Sequence, residues 1–232
     1  MNCGSGTRFD PEWRIVGRAT DSHSTLCIEG HASARFAPDA GMGADERPPL
    51  AEGPGEALVQ EQETIAGHGL TMSHDGWRRS HGLTHLRNLT LEDGGTILRG
   101  EDALAAFNAA DRAALDEVYG RLPSDTGLRY AIRFHLHPDV KASLDLGGTA
   151  VSLTLKSGET WVFRHSGNGM LALKPSLYFD SRRLKPRATK QIVLSSRMKG
   201  YGTVVGWSLA RPIAFMPPGR LSAARAQDSH DA

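Results

Sequence analysis

Hydrophobic and polar residues alternate along several short segments of the chain, a pattern typical of half-buried β-strands. Leu83–Leu91 (LTHLRNLTL) alternates with a period of two, and Asp93–Gly95 supplies a turn before a returning strand at Thr96–Asp102. The other predicted strands lie in Thr25–Glu29, Ala57–Ser73 (one or two strands), Arg129–His137, Val151–Leu155, Thr160–Arg164, Met170–Leu173, Gln191–Ser195 and Thr203–Leu209. Many short strands joined by glycine-containing turns predict an all-β fold, an antiparallel β-sandwich.

One segment departs from the alternation and predicts a helix. Residues 108–122 (NAADRAALDEVYGRL) are rich in helix formers, with Asn108 or Asp111 as a candidate N-cap and Pro123 just beyond the end. Ala114, Leu115 and neighbouring apolar residues recur at helical spacing and would lie on one side. We therefore predict one short helix inserted between two strands.

The remaining irregular segments set the predicted domain boundaries. Residues 37–55 contain repeated Pro and Gly without periodicity, which indicates a long surface loop. The strand pattern is lost after residue 211. We predict a single domain over residues 1–211, with the loop as an insertion, and a disordered tail over residues 212–232.

Composition excludes several classes of protein. The chain of 232 residues is 39% hydrophobic and 23% charged, which is ordinary for a folded soluble domain. Its net charge of +1 and scattered aromatics argue against a nucleic-acid-binding module. No apolar run approaches the roughly 20 residues that span a membrane, and no signal peptide is visible at the start. Cys3 and Cys27 are too few for a disulfide scaffold.

Histidines are the main candidates for chemistry, because no Walker loop, HExxH, GxSxG, CxxC or nucleotide-binding glycine motif occurs. His135 and His137 stand two residues apart on a predicted strand, with Arg133 on the same side. Such a group suits a metal pair, or a proton-transfer group beside an anion-binding guanidinium. The alternative is the ordinary polar face of a sheet.

Three other positions are considered. His23 precedes a predicted strand, where it could bind a metal or form a hydrogen bond at the strand entrance. His74 stands beside a turn signal, so we interpret it as a turn residue. Residues 181–190 are strongly basic, and Arg182 and Arg183 could bind the carboxylates or sulfates of an acidic polysaccharide. The alternative there is a solvated loop.

A set of ordered motifs resembles the C-terminal domain of bacterial heparinase II/III-like proteins. The motifs are Asn2–Gly4, Ala19–Leu26, His74–Leu104, Tyr130–Val140, Gly158–Arg164 and Lys190–Ser195. The resemblance implies an N-terminal α/α toroid followed by an antiparallel β-sandwich, in a polysaccharide lyase that acts on uronate-containing glycans. The sequence shows no toroid, so the resemblance predicts that these residues are the back part of a longer protein that works in the cell envelope or periplasm.

The resemblance also implies a reaction, β-elimination. The substrate carboxylate is neutralised, a base removes the C5 proton, and an acid protonates the departing C4 oxygen. The base and acid are typically Tyr and His on the toroid or at its junction with the sandwich. We therefore expect no complete catalytic set in this chain. A non-catalytic module that binds acidic polysaccharide and a degenerate fragment remain the alternatives.

In some family members a structural zinc is bound by an HxHxD-type strand, the Asp of a DPG-like turn and the His of an HNT-like motif. By resemblance, His23 matches the last of these, and Asn2 occupies the position of the Asp. The HxHxD strand would precede Asn2. Because an amide is a poorer ligand than a carboxylate, we expect weak or no zinc binding by this chain.

Overall fold

Antiparallel β-strands make up most of the structure, a computed structural model that describes residues 1–4, 6, 9, 11–37, 49–64, 67–183 and 185–212. The strands are β1 (Leu26–Ile28), β2 (Arg35–Phe36), β3 (Leu50–Glu52), β4 (Ala57–Thr64), β5 (Gly67–Trp77), β6 (Leu83–Glu92), β7 (Ile97–Ala105), β8 (Leu128–His135), β9 (Lys141–Asp145), β10 (Ala150–Thr154), β11 (Thr160–His165), β12 (Met170–Tyr178), β13 (Arg187–Met198) and β14 (Gly202–Ala210). The α-helices are α1 (Pro11–Val16), α2 (Arg78–His81) and α3 (Ala109–Arg121).

Two sheets form the sandwich. The smaller has four strands in the order β1-β8-β13-β12, and the larger has eight in the order β4-β5-β6-β7-β14-β11-β10-β9. Neighbouring strands in both sheets are antiparallel. The buried core between the sheets includes Leu26, Trp77, Leu104, Ile132, Phe163 and Trp207. The predicted antiparallel β-sandwich is confirmed.

The predicted helix and the predicted hairpin are both present. The Asn108 side-chain oxygen accepts a hydrogen bond from the backbone N–H of Asp111 at 2.9 Å, which caps α3. Leu115 is fully buried against the sandwich, as the helical spacing predicts. A short 3₁₀ turn at Asp93–Gly95 joins β6 to β7. Helices α1 and α2 were not predicted, because neither is long enough to show a periodic pattern.

The predicted loop over residues 37–55 is wrong at its described end. β3 lies inside that range and pairs with β2, and Arg35 Nη2 contacts Glu52 Oε1 at 2.6 Å across the pair. Strands of two or three residues are too short to show an alternation of hydrophobic and polar residues, so they are recognised only by their pairing. Residues 38–48 lie outside the described residues, as do residues 213–232 of the predicted tail. Within the described ranges, no helix is long and apolar enough to cross a membrane.

The interpretation of His74 as a turn residue is wrong. His74 belongs to β5, and the following Asp75–Gly76 pair forms a bulge in the β5–β6 ladder. A glycine is needed at the bulge, because a Cβ on Gly76 would lie 2.6 Å from the carbonyl oxygen of Ser33. The residues that favour turns and bulges are the same, so the sequence alone does not separate the two.

A buried carboxylate links the central strands of the large sheet. Asp102 on β7 has no exposed side-chain surface. Its oxygens accept hydrogen bonds from Arg87 Nε (2.8 Å) and Nη2 (3.0 Å), from His85 Nε2 (2.8 Å) and from Trp207 Nε1 (2.8 Å). Burial raises the pKa of Asp102, but the bonds from His85 and Arg87 more than offset it, so the pKa lies below its usual value.

The hydrogen-bond network continues from Asp102 through His85 to His74 on β5. Because Asp102 is an acceptor, His85 carries its proton on Nε2, and its Nδ1 accepts from His74 Nε2 at 3.2 Å. His74 Nδ1 in turn accepts from the backbone N–H of Gly76 at 3.2 Å. Each of the four ring nitrogens in this chain of bonds therefore has a hydrogen-bond partner.

Replacing Asp102 by Ala is expected to destabilise the fold by about 3–5 kcal/mol, because Arg87 would lose its buried partner. Urea denaturation measures the change. Trp207→Phe removes only one donor to Asp102 and should lower the free energy of unfolding by about 1–3 kcal/mol. This variant can therefore be measured even if Asp102→Ala fails to fold. The exposed Glu117→Ala is the control, and equal stabilities of Trp207→Phe and wild type would contradict the account.

Stability is expected to fall as the pH decreases from about 6.5 to about 4. Burial lowers the pKa of His74 and of His81 to about 4, from 6.5. In this window the unfolded chain binds protons at these imidazoles that the folded chain does not, so acid favours unfolding. Urea midpoints at pH 7 and pH 4.5 measure the loss. His74→Gln should make the pH dependence shallower, by roughly 2 kcal/mol over the window, and an unchanged dependence would contradict the prediction.

Candidate functional site

A groove of about 570 Å³ lies on the outer side of the four-stranded sheet. We call it the Arg133 groove, and the side chains that define it are Cys27, Arg129, Arg133, Lys174, Val193 and Arg197. Successive residues of a strand point to opposite sides, so these positions face outward while Tyr130 and Ile132 of the same strand β8 are buried in the core.

The Arg133 groove has an excess of positive charge. Arg129, Arg133, Lys174 and Arg197 are its cationic side chains, and Asp21 and Glu29 are its carboxylates. Arg129 approaches Glu29 at 3.5 Å, with both side chains largely exposed, so this pair is weak. Lys174 has no ion pair within the described part of the chain, and so remains available to an anion.

Arg133 lies at the centre of the groove, where the sheet holds its side chain. Its Nη1 donates to Gln191 Oε1 at 3.2 Å, and its Nε is buried without a hydrogen-bond partner among the described residues. Burial raises the pKa of the neighbouring Cys27 thiol to about 11, although the Arg133 guanidinium opposes that rise. Cys27 is therefore an uncharged part of the floor, and Arg133 supplies the positive charge beside it.

His135 is not on an exposed polar face with His137. His135 and Arg133 lie on the same side of β8, as predicted. His135 is nevertheless only 4% exposed, because residues 1–4 cover it. Its Nε2 donates to the backbone carbonyl of Asp21 at 2.9 Å, and its Nδ1 lies 2.8 Å from Ser176 Oγ and 3.2 Å from Cys3 Sγ. Burial lowers the pKa of His135, and the bond to Asp21 opposes the shift.

His137 lies beyond the end of β8, so it is not a strand partner of His135. Its Nδ1 accepts from the backbone N–H of Asp139 at 3.2 Å. The structure therefore separates the two histidines that the spacing had suggested as one group. Neither of them lines the Arg133 groove.

Arg182 and Arg183 lie in the exposed connection between β12 and β13. The backbone N–H of Arg182 bonds to Asp180 Oδ1 at 3.0 Å, and Arg183 Nε lies 3.7 Å from Asp180 Oδ2. Neither arginine lines the Arg133 groove. Part of the basic run is not loop at all, since residues 187–190 belong to β13.

The segment that carries His23 is bonded to Asn2 through the next residue, Ser24. The Asn2 side-chain oxygen accepts from the backbone N–H of Ser24 at 2.9 Å, and burial lowers the pKa of His23. That oxygen is used in joining two backbone segments, and among the described residues no three His, Cys, Asp or Glu side chains are grouped to hold a metal. An amide oxygen engaged in this way is a poor replacement for the Asp of the family's zinc site. The expectation of weak or no zinc binding by the chain stays a prediction.

Most residues of the Arg133 groove could not be identified from the sequence. Lys174 and Arg197 are distant from Arg133 along the chain and come beside it only through the β12–β13 and β13–β8 pairings. The alternation of β8 places Arg133 and Arg129 on the same side of the strand, and this is the one feature of the sequence that points to the groove. The pairing order of the strands was not predictable from alternation.

Comparison with known proteins identifies the family. The family model described as "Heparinase II/III-like, C-terminal" matches residues 1–208. The FtsZ-localized protein C of Caulobacter vibrioides is 33% identical over 196 residues, which is 84% of this chain and 32% of that protein. The chain thus spans about a third of this relative's length.

Solved structures share the fold. Heparan sulfate lyase HepC from Pedobacter heparinus superposes with a TM-score of 0.56 at 13% identity, over 86% of this chain and 25% of that one. A heparinase III superposes with a TM-score of 0.56 at 10% identity, over 87% of this chain and 25% of that one. Identities this low concern the fold alone, and the chain covers a quarter of each enzyme.

Proposed function

The chain belongs to the heparinase II/III-like C-terminal family, and on this basis we propose that it binds a uronate-containing acidic polysaccharide along the Arg133 groove. In this proposal the sandwich is the C-terminal part of a polysaccharide lyase of the cell envelope. It holds the glycan while residues outside this chain carry out β-elimination.

The observation that carries the proposal is the charge of the Arg133 groove. Guanidinium groups match the planar carboxylates of uronates and the oxygens of sulfates, with which they form paired hydrogen bonds. Neither Arg133 nor Lys174 has a carboxylate partner within the described part of the chain, and both line the groove. Both could exchange water for glycan oxygens without first breaking an ion pair.

Among its described lining residues the same groove has one imidazole, that of His31, whose Nδ1 already donates to the carbonyl oxygen of Glu29 at 3.0 Å. The hydroxyl of Tyr130 lies in the core, where it contacts Thr203 Oγ1 at 3.1 Å, and only its backbone side reaches the groove. His135 is buried, and its ring nitrogens are engaged. β-elimination needs a base and an acid at the reacting sugar, so we assign binding to this chain and catalysis to the longer protein.

Arg133→Ala is expected to weaken binding of a heparin-derived oligosaccharide about tenfold, because charge-assisted hydrogen bonds contribute about 1.5–3 kcal/mol each. Fluorescence anisotropy with a labelled oligosaccharide measures the affinity. Binding of the wild-type chain should also weaken steeply as salt is added.

Arg121→Ala is the matched control, since Arg121 is an exposed arginine of α3 whose one ion pair among the described residues is with Glu117. It removes the same charge from the chain and should leave the affinity unchanged. Equal losses in both variants would mean non-specific attraction and would contradict the groove. Formation of unsaturated uronate products by the isolated chain would contradict the assignment of catalysis to residues outside it.

A second candidate function follows from the relative named FtsZ-localized protein C. Its 33% identity to this chain exceeds the 13% and 10% identities of the two lyase structures. The proposal is that the chain belongs to a protein that associates with the division machinery, with or without glycan binding.

Co-sedimentation of the purified chain with FtsZ filaments tests this second candidate. Association predicts that the chain pellets with the filaments in proportion to their amount. The Arg133→Ala variant should pellet equally well if the division partner uses a surface other than the groove. A chain that stays in the supernatant at all filament concentrations would eliminate direct association.

A further inference from the structure

A second groove of about 940 Å³ lies between the β2–β3 pair, the loop before β2 and helix α2. We call it the Arg79 groove, and its charged lining residues are Arg35, Glu52, Asp75, Arg78 and Arg79. It lies beside the Arg133 groove but uses different elements of the fold. Asp75, Arg78 and Arg79 belong to the His74–Leu104 motif of the sequence, but the function proposed above does not use them.

Most charges of the Arg79 groove are already paired. Arg35 is bound to Glu52 at 2.6 Å, and Arg78 Nε is bound to the buried Asp111 at 2.9 Å. Arg79 is exposed and has no ion pair or hydrogen bond from its side chain within the described part of the chain. It is therefore the cation of this groove that is free to bind an anion.

The two grooves adjoin each other, because Gly30, His31 and Ala32 line both of them. The junction is open, since a Cβ built on Gly30 would meet no atom within 4 Å, and Ala32 is exposed. The junction is also anchored to the core, because the His31 carbonyl oxygen accepts from Trp77 Nε1 at 3.1 Å. An extended ligand could cross it without displacing a side chain.

We infer that the Arg133 and Arg79 grooves form one binding track for a single linear polyanionic glycan, with Arg79 as an anion subsite beyond the junction at Gly30–Ala32. The inference rests on the proposed function and extends it to ligand length. A short oligosaccharide fills the Arg133 groove alone, while a longer one also contacts Arg79. Affinity should therefore rise with chain length until both grooves are occupied.

The test uses heparin-derived oligosaccharides of increasing length with the intact 232-residue chain. Wild type should bind the longest probe about tenfold more tightly than the shortest. Arg79→Ala should abolish this gain and leave binding of the shortest probe unchanged. Ala32→Glu, which places a negative charge at the open junction, should weaken the longest probe more than the shortest.

The control is again Arg121→Ala, which loses an exposed arginine that lines neither groove and should retain the full gain with length. If Arg79→Ala and Ala32→Glu keep that gain while Arg133→Ala weakens every probe, the continuous track is wrong and the proposed function stands. If Arg133→Ala also binds every probe as wild type does, both fail. A gain that Arg121→Ala loses as much as Arg79→Ala would be general polyelectrolyte attraction and would overturn the inference.

Discussion

Burial of the ionised Asp102 carboxylate between the two sheets is the constraint on which the rest of the structure depends. An unpaired charge in that position would cost several kcal/mol, so its hydrogen bonds must all form together. The donors are side chains of β6 and β14, and the chain of bonds continues through His85 to His74 on β5. Gly100 leaves room for this arrangement, because a Cβ there would lie 2.2 Å from the Trp207 indole. The network thereby fixes the register of four adjacent strands.

The same network positions the candidate binding surface. Arg87 uses its remaining Nη1 to donate to the carbonyl oxygen of Ser24 at 2.6 Å, which attaches the segment before β1 to the large sheet. β1 then pairs with β8, the strand that carries Arg133. Polar groups inside the sandwich thus hold the strand whose outer side presents the cations. A binding site built on strands held in this way needs little ordering when a ligand arrives.

The sequence was sufficient where a local rule decides the structure. Alternation located most strands, and a run of helix-forming residues located helix α3, whose cap the structure assigns to Asn108. The sequence was insufficient where segments that are distant along the chain come into contact. His135 alternates as a surface residue does, yet residues 1–4 cover it, and the Asp75–Gly76 turn signal became a bulge because Ser33 packs against it. The groove itself depends on strand order, which brings Lys174 and Arg197 beside Arg133 and leaves Arg182 and Arg183 elsewhere.

Amide chemical-shift mapping of the ¹⁵N-labelled chain during titration with a heparin-derived oligosaccharide tests the central claim most directly. Glycan binding along the groove predicts the largest shifts at the outward positions of β8, β12 and β13, centred on Arg133, and at the junction Gly30–Ala32. Shifts confined to the loop that carries Arg182 and Arg183, or no shifts at all at low salt, would contradict the claim.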